Sequence, residues 1–293
     1  MKISSTEGSG GIVDIFYEEW KLKLNEHANV ARIFSELFSA TFSRCAGNYS
    51  HPYGNFDPNM MYMYIDRVCF RLPESIVNIT DKKKNKLQRS LTTHLDCCPQ
   101  TMFESVKEHP KWRPIQAFIA LTDSLEPNHG GFEACLKHHL NFDDWTRRRA
   151  NTVNRKTGME SPPPCVGEFT PMRPVEDRDV IAGFAPVHCR AGDLVVWDYR
   201  IPHANARFNL GAEPREVVYI GILPGVEMNK RYAEHQLQRY LEGKLPDDQW
   251  HESVEVQKCE YRFSSLGKRM MTMEPWPRGK DWNYNTTAGS RHA

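Results

Sequence analysis

From residue 114 onward the chain is built of short apolar runs cut apart by turn residues, and this rhythm most limits what it can fold into. The runs are "PIQAFIALTD" (114–123), "FAPVHC" (184–189), "DLVVWDY" (193–199) and "EVVYIGILP" (216–224). Between them lie "PNHGG", "RAGD" and "NLGAEP", whose Gly, Pro, Asn and Asp residues favour turn geometry. β-Branched and aromatic side chains suit a pleated surface, and several short strands with this punctuation predict a sandwich or a barrel.

The flanks read differently. Residues 12–43 carry Val30, Ile33, Phe34 and Leu37 at helical spacing, which predicts one or two amphipathic helices. Residues 226–243 are also expected to be helical, and "MMYMYIDRVCFRL" (60–72) reads as a single strand. Residues 1–11 are Gly/Ser-rich and are expected to be disordered, and "DKKKNK" (81–86) is expected to be a solvated loop. Between Lys137 and Val180 the strand pattern stops. This stretch is expected to be an insertion, either a lid or a solvated surface excursion.

Bulk properties exclude more than they assign. The 293 residues are 40% hydrophobic and 26% charged, which is ordinary globular composition. Lys plus Arg (38) and Asp plus Glu (37) nearly cancel, so no overall field draws the chain to nucleic acid or to an acidic membrane. Eight cysteines in apolar runs or as the adjacent pair Cys97 and Cys98 read as reduced thiols of an intracellular, cytoplasmic protein rather than as a disulfide framework. No apolar window is long enough to span a bilayer.

The chemistry centres on "SLTTHLDCCPQ" (90–100). In an extended chain alternate side chains share a face, so His94 and Asp96 would stand side by side within reach of one ion. Alone, such a pair is more often part of a hydrogen-bonded turn than a metal site. A second histidine, His203 in "WDYRIPHANARFN", completes a set of two imidazoles and one carboxylate. That set holds non-haem Fe(II) on one face and leaves positions open for a chelating co-substrate and O2. Arg215, twelve residues further on, could grip a distal carboxylate in two-pronged fashion.

These residues together resemble the Fe(II)/2-oxoglutarate dioxygenases, and within them the phytanoyl-CoA dioxygenase-like family. The resemblance extends to "IQAFIALTDSLEPNHGGFEACLKHH", to "AGDLVVWDYRIPHANARFN" and to "LGKRMMTMEPW" near the C-terminus. It implies a mainly β chain with flanking helices, a double-stranded β-helix (a cupin-like jelly roll) with helices before and after it, forming one oxygenase domain over 1–293. It implies Fe(II) on His94, Asp96 and His203, and 2-oxoglutarate on Arg215 with Asn205, Gln116 and Trp112 nearby. Asn205 stands where the family often has a small hydroxyl residue, and Gln116 and Trp112 serve equally well as core packing. Because Asp96 is present, the resemblance implies hydroxylation rather than halogenation, with O2 consumed and succinate formed, on a small-molecule or carrier-linked substrate.

Two further readings stay open from sequence. One is a cupin-like protein that binds a ligand without turnover. The other is a hydroxylase of protein or nucleic acid that docks through Arg147, Arg148 and Arg149, although a run of like charges is more often a solvated face. The pairs His138/His139 and Asp143/Asp144 read as solvated loop, and Cys97 and Cys98 as buried or loop thiols.

Overall fold

The structure is a computed structural model that describes residues 6, 8–45, 51–77, 88–99, 101–103, 108–150, 168–246 and 259–277. Its described strands are β1 (Ile12–Val13), β2 (Met61–Tyr64), β3 (Val68–Arg71), β4 (His94–Leu95), β5 (Ile115–Ala120), β6 (Phe132–Cys135), β7 (Thr170–Pro171), β8 (Phe184–Pro186), β9 (Leu194–Asp198), β10 (His203–Asn205) and β11 (Arg215–Pro224). Its α-helices are α1 (Glu19–Asn25), α2 (Ala28–Thr41), α3 (Glu74–Val77), α4 (Phe142–Ala150), α5 (Arg178–Ala182), α6 (Glu227–Leu241) and α7 (Ser265–Met270). The protein is mostly β, with two antiparallel sheets and several helices. A six-stranded sheet runs β1-β3-β11-β5-β9 with β2 also paired to β11, and a five-stranded sheet runs β7-β4-β10-β6-β8.

Period-two alternation assigns each strand of the larger sheet two environments. Val218, Ile220 and Ile222 of β11 and Ile115 and Ala117 of β5 face the helices, in one core with Leu22, Phe34, Phe38, Leu266 and Met270. Val217 of β11, Phe118 and Ala120 of β5 and Cys69 of β3 face the other way, into a second core shared with Phe132 and Ala134 of the smaller sheet. Arg215 and Tyr219 share parity with Val217, and Gln116 with Phe118, so a polar set is aimed into the space between the sheets. Helix α2 is held against its side of the larger sheet by Val30, Phe34 and Phe38, spaced four apart, and the His27 imidazole caps it by accepting from the Asn29 N–H.

Three expectations are corrected. The run 60–72 is not one strand. It bends at Ile65–Arg67, so that β2 pairs with Gly221–Pro224 and β3 with Arg215–Val218. The bend is stable because the buried Gln236 side chain replaces the lost ladder partners, accepting from Ile65 N (2.9 Å) and donating to Met63 O (2.8 Å). The N-terminal Gly-rich stretch is ordered from Gly8 on. The Gly11 carbonyl accepts from Phe70 N–H of β3 (2.8 Å) and β1 pairs onward along β3, and Gly11 has φ +72° with a Cβ position only 2.8 Å from Arg71 Cα, a place only glycine fills. The 137–180 stretch holds a helix, α4. Trp145 and Arg149 of that helix turn inward onto Asp177, at 2.9 and 2.8 Å, so Arg149 does not belong to a solvated charge run. His138 is also buried. Residues 1–5, 81–86, 151–167 and the C-terminal "GSRHA" lie outside the described residues.

Candidate metal centre

The two histidines meet because of strand register. His203 on β10 is paired directly with His94 on β4, so their side chains project from one face as cross-strand neighbours. Their ring centroids are 4.5 Å apart. Asp96, two residues after His94, has the same parity and completes the group. His94 Nε2 lies 3.5 Å from Asp96 Oδ1, and His203 Nε2 lies 3.5 Å from Asp96 Oδ2. Neighbouring ligands on one octahedral ion with bonds near 2.1 Å stand ~3 Å apart, so the set needs only a slight contraction. Among the described residues, these three are the group of His, Cys, Asp and Glu side chains able to hold a metal ion.

Both imidazoles are held in the tautomer that a metal requires. Each directs Nδ1 at the carbonyl two residues before it: His94 at Thr92 O (2.6 Å) and His203 at Ile201 O (3.1 Å). A carbonyl only accepts, so Nδ1 carries a hydrogen, and Nε2, which faces Asp96, is the nitrogen left for a metal. His94 also stacks on Phe169 at 4.8 Å, and His203 lies against Trp197 and Phe132. Burial opposes ionisation of Asp96, but hydrogen bonding and charge from His203 and His94 outweigh it and hold the carboxyl well below its usual range. Burial first, and then His94, push the His203 imidazole down, against the pull of Asp96. An ionised carboxylate beside a neutral imidazole is the donor state of a metal site. Gln116 Nε2 donates to Asp96 Oδ2 at 3.1 Å and fixes the carboxylate's rotation, and Arg113 Nη2 stands 3.7 Å from the same oxygen.

Asn205 and Arg215 form the second half of the site, one same-face step along β10. Arg215 is 2% exposed, and its Nη1 donates to Asn205 Oδ1 (3.3 Å) and contacts Cys69 Sγ (3.4 Å). Its guanidinium lies over the Phe118 ring, 5.1 Å from the centroid. Asn205 Nδ2 donates to Gly10 O, which also accepts the Cys69 thiol, so the Gly-rich N-terminal stretch walls this end. Burial raises the Cys69 thiol and the Tyr219 phenol above their ordinary values, so both are neutral and neither cancels the Arg215 charge. Nε and Nη2 of Arg215 are buried without a hydrogen-bond partner among the described residues. A buried cation with idle donors is costly unless an acceptor arrives. The donor set therefore fits a metal at His94, Asp96 and His203, and the idle guanidinium fits the distal carboxylate of a metal-chelating oxo-acid.

The remaining expected residues fall as follows. Gln116 serves the metal carboxylate. Trp112 is 1% exposed within a cluster of Phe42, His51, Tyr53 and Phe56. It also borders a cleft beside Asp96 with Tyr53, Lys111, Arg113, Glu168 and Tyr199. Cys97 and Cys98 are buried, and the Cys97 thiol donates to Tyr199 O. Arg71, Cys69, Tyr219 and Arg113 were not singled out from sequence. Their one signal is parity: polar side chains at inward positions of otherwise apolar strands.

Fold and site define an antiparallel two-sheet protein with a 2-His-1-carboxylate constellation between the sheets. Residues 184–270 match the family model described as Gig2-like. That span carries His203, Asn205 and Arg215. No curated protein matches the chain. Among solved structures it is similar to the GlcNAc Inducible Gene 2 protein, GIG2 (DUF1479), of Candida albicans. The identity is 15% and the TM-score 0.69, over 95% of this chain and 70% of that one. It is also similar to the hypothetical protein JW0805 of Escherichia coli, at 16% identity and TM-score 0.65, over 90% of this chain and 70% of that one. At these identities the likeness is one of fold. No helix among the described residues is long and apolar enough to cross a membrane.

Proposed function

We propose that the protein is a non-haem Fe(II)/2-oxoglutarate-dependent dioxygenase that hydroxylates an aliphatic C–H bond of a small-molecule or carrier-linked substrate. One observation carries this reading: the metal-competent triad His94, Asp96 and His203 shares an interior with the buried, partly idle guanidinium of Arg215. On this reading the two sheets are the walls of a double-stranded β-helix, the chain is one oxygenase domain, and the motif likeness to the phytanoyl-CoA dioxygenase-like family reflects shared chemistry.

His94, Asp96 and His203 would hold the iron on one face. Arg215 and Asn205 would hold the distal carboxylate of 2-oxoglutarate, which orients its keto-acid end toward the metal. Fe(II), 2-oxoglutarate and O2 would supply oxidative decarboxylation to succinate coupled to hydroxylation. Thr92 and Ile201 carbonyls keep the imidazoles in donor form, and Gln116 keeps Asp96 turned to the ion. The cleft beside Asp96, with Tyr53, Tyr199 and the Lys111–Glu168 ion pair (2.7 Å), is the substrate entrance this arrangement favours. The test is succinate formation from 2-oxoglutarate with Fe(II) and O2 in the presence of fractionated metabolites. Wild type should turn over and His203→Ala should not. Equal succinate from both proteins refutes the assignment.

A further inference from the structure

Arg71 is the largest buried polar side chain without a role in that reading. It is 1% exposed, and the β3–β11 register pairs it directly with Arg215, so both side chains leave one face toward the smaller sheet. Its Nη2 donates to Glu74 (3.0 Å) and to Arg207 O (3.3 Å). Its Nε and Nη1 are buried without a partner among the described residues.

Three stations thus line β10 and its continuation at two-residue steps: the metal ligand His203, Asn205 holding Arg215, and the Arg207 carbonyl holding Arg71. Arg71 and Arg215 are direct cross-strand neighbours, and the groups that hold them follow His203 in chain order. Glu74 pairs with Arg71, and no carboxylate among the described residues pairs with Arg215. Each arginine also keeps two idle nitrogens.

Two adjacent buried cations repel. Arg71 shows the strain: burial lowers its affinity for its proton and the nearby Arg215 charge adds a smaller push, against the support of Glu74. An anion placed between the two would relieve that repulsion and satisfy their idle donors.

We infer that Arg71 is a second cation of the co-substrate pocket, sharing the distal carboxylate of the bound 2-oxo diacid with Arg215, and that Glu74 competes with that carboxylate for Arg71. The inference rests on the reading above, and it makes a prediction no structural role makes: removing Arg71 and neutralising Glu74 should act in opposite directions.

The experiment is anaerobic calorimetric titration of the Fe(II)-loaded protein with 2-oxoglutarate and with 2-oxopentanoate, which lacks the distal carboxylate. Arg71→Met should weaken 2-oxoglutarate about 10-fold or more and leave 2-oxopentanoate unchanged. Glu74→Gln, which keeps the side chain's shape and a hydrogen-bond acceptor for Arg71, should tighten 2-oxoglutarate about 2- to 5-fold. Should Arg71→Met not fold, Glu74→Gln alone decides. Loss of 2-oxoglutarate binding in Arg215→Met, with Arg71→Met and Glu74→Gln binding like wild type, overturns the inference and leaves the dioxygenase reading standing. Absence of 2-oxoglutarate binding in wild type removes both.

Discussion

The two faces of β11 have opposite characters within one strand. Outward, Val218, Ile220 and Ile222 enter a continuous apolar core beneath the helices. Inward, Arg215 and Tyr219 flank Val217 and join Arg71, Gln116 and Cys69 in a polar space containing idle buried donors. The outward face is optimised for burial, worth roughly 1.5–3 kcal/mol for each large side chain. The inward face retains charge that an isosteric apolar residue would remove at a gain in stability. On the proposed reading, the charge kept on the inward face is what meets the co-substrate.

The comparison is broken most severely from the outward side. Ile220→Asp places an unpaired carboxylate in the helix-facing core and should cost more than about 4 kcal/mol, so that urea unfolding shows no native baseline. A variant with the native urea midpoint would mean that this face does not carry the fold.

Lys21 sharpens the contrast, because it is the charged exception under the helices. It is 0% exposed on α1, its Nζ has no hydrogen-bond partner among the described residues, and burial lowers it from 10.5 to about 8, partly offset by Asp66. The folded protein then holds fewer protons than the unfolded chain between about pH 8 and 10.5, so stability should rise across that window. Lys21→Met should gain about 3 kcal/mol at pH 7 and flatten the rise, as read by denaturant midpoints against pH. A pH-independent midpoint in wild type contradicts this.

Arg215→Met should separate function from stability: about 1 kcal/mol more stable, yet about 100-fold weaker for 2-oxoglutarate. Loss of both together would assign Arg215 to the scaffold. The smallest effect is expected at Gln116→Ala, with stability within about 1 kcal/mol of wild type and Fe(II) affinity down about 10-fold as Asp96 loses its restraint.

Much of this was readable in the sequence, for definite reasons. Strands β5, β9 and β11 are short runs rich in β-branched and aromatic residues bounded by turn residues, so local propensity alone marks them. The triad was readable because His94 and Asp96 lie close together on one face and His203 follows a strand. The bend at Ile65–Arg67 was hidden because the side chain that stabilises it, Gln236, lies far along the chain. The ordered Gly10–Gly11 stretch was hidden because glycine signals freedom locally, whereas here it permits close approach to β3. Arg149 read as a surface charge, and Arg71 was passed over, because composition does not reveal an inward partner such as Asp177 or parity within a sheet.

The central claim is that His94, Asp96 and His203 form one metal site that a 2-oxo acid completes. Anaerobic addition of Fe(II) and 2-oxoglutarate should give wild type a visible metal-to-ligand charge-transfer band, absent from folded His94→Ala and His203→Ala proteins. A band of undiminished intensity in either variant, or none in wild type, would contradict it.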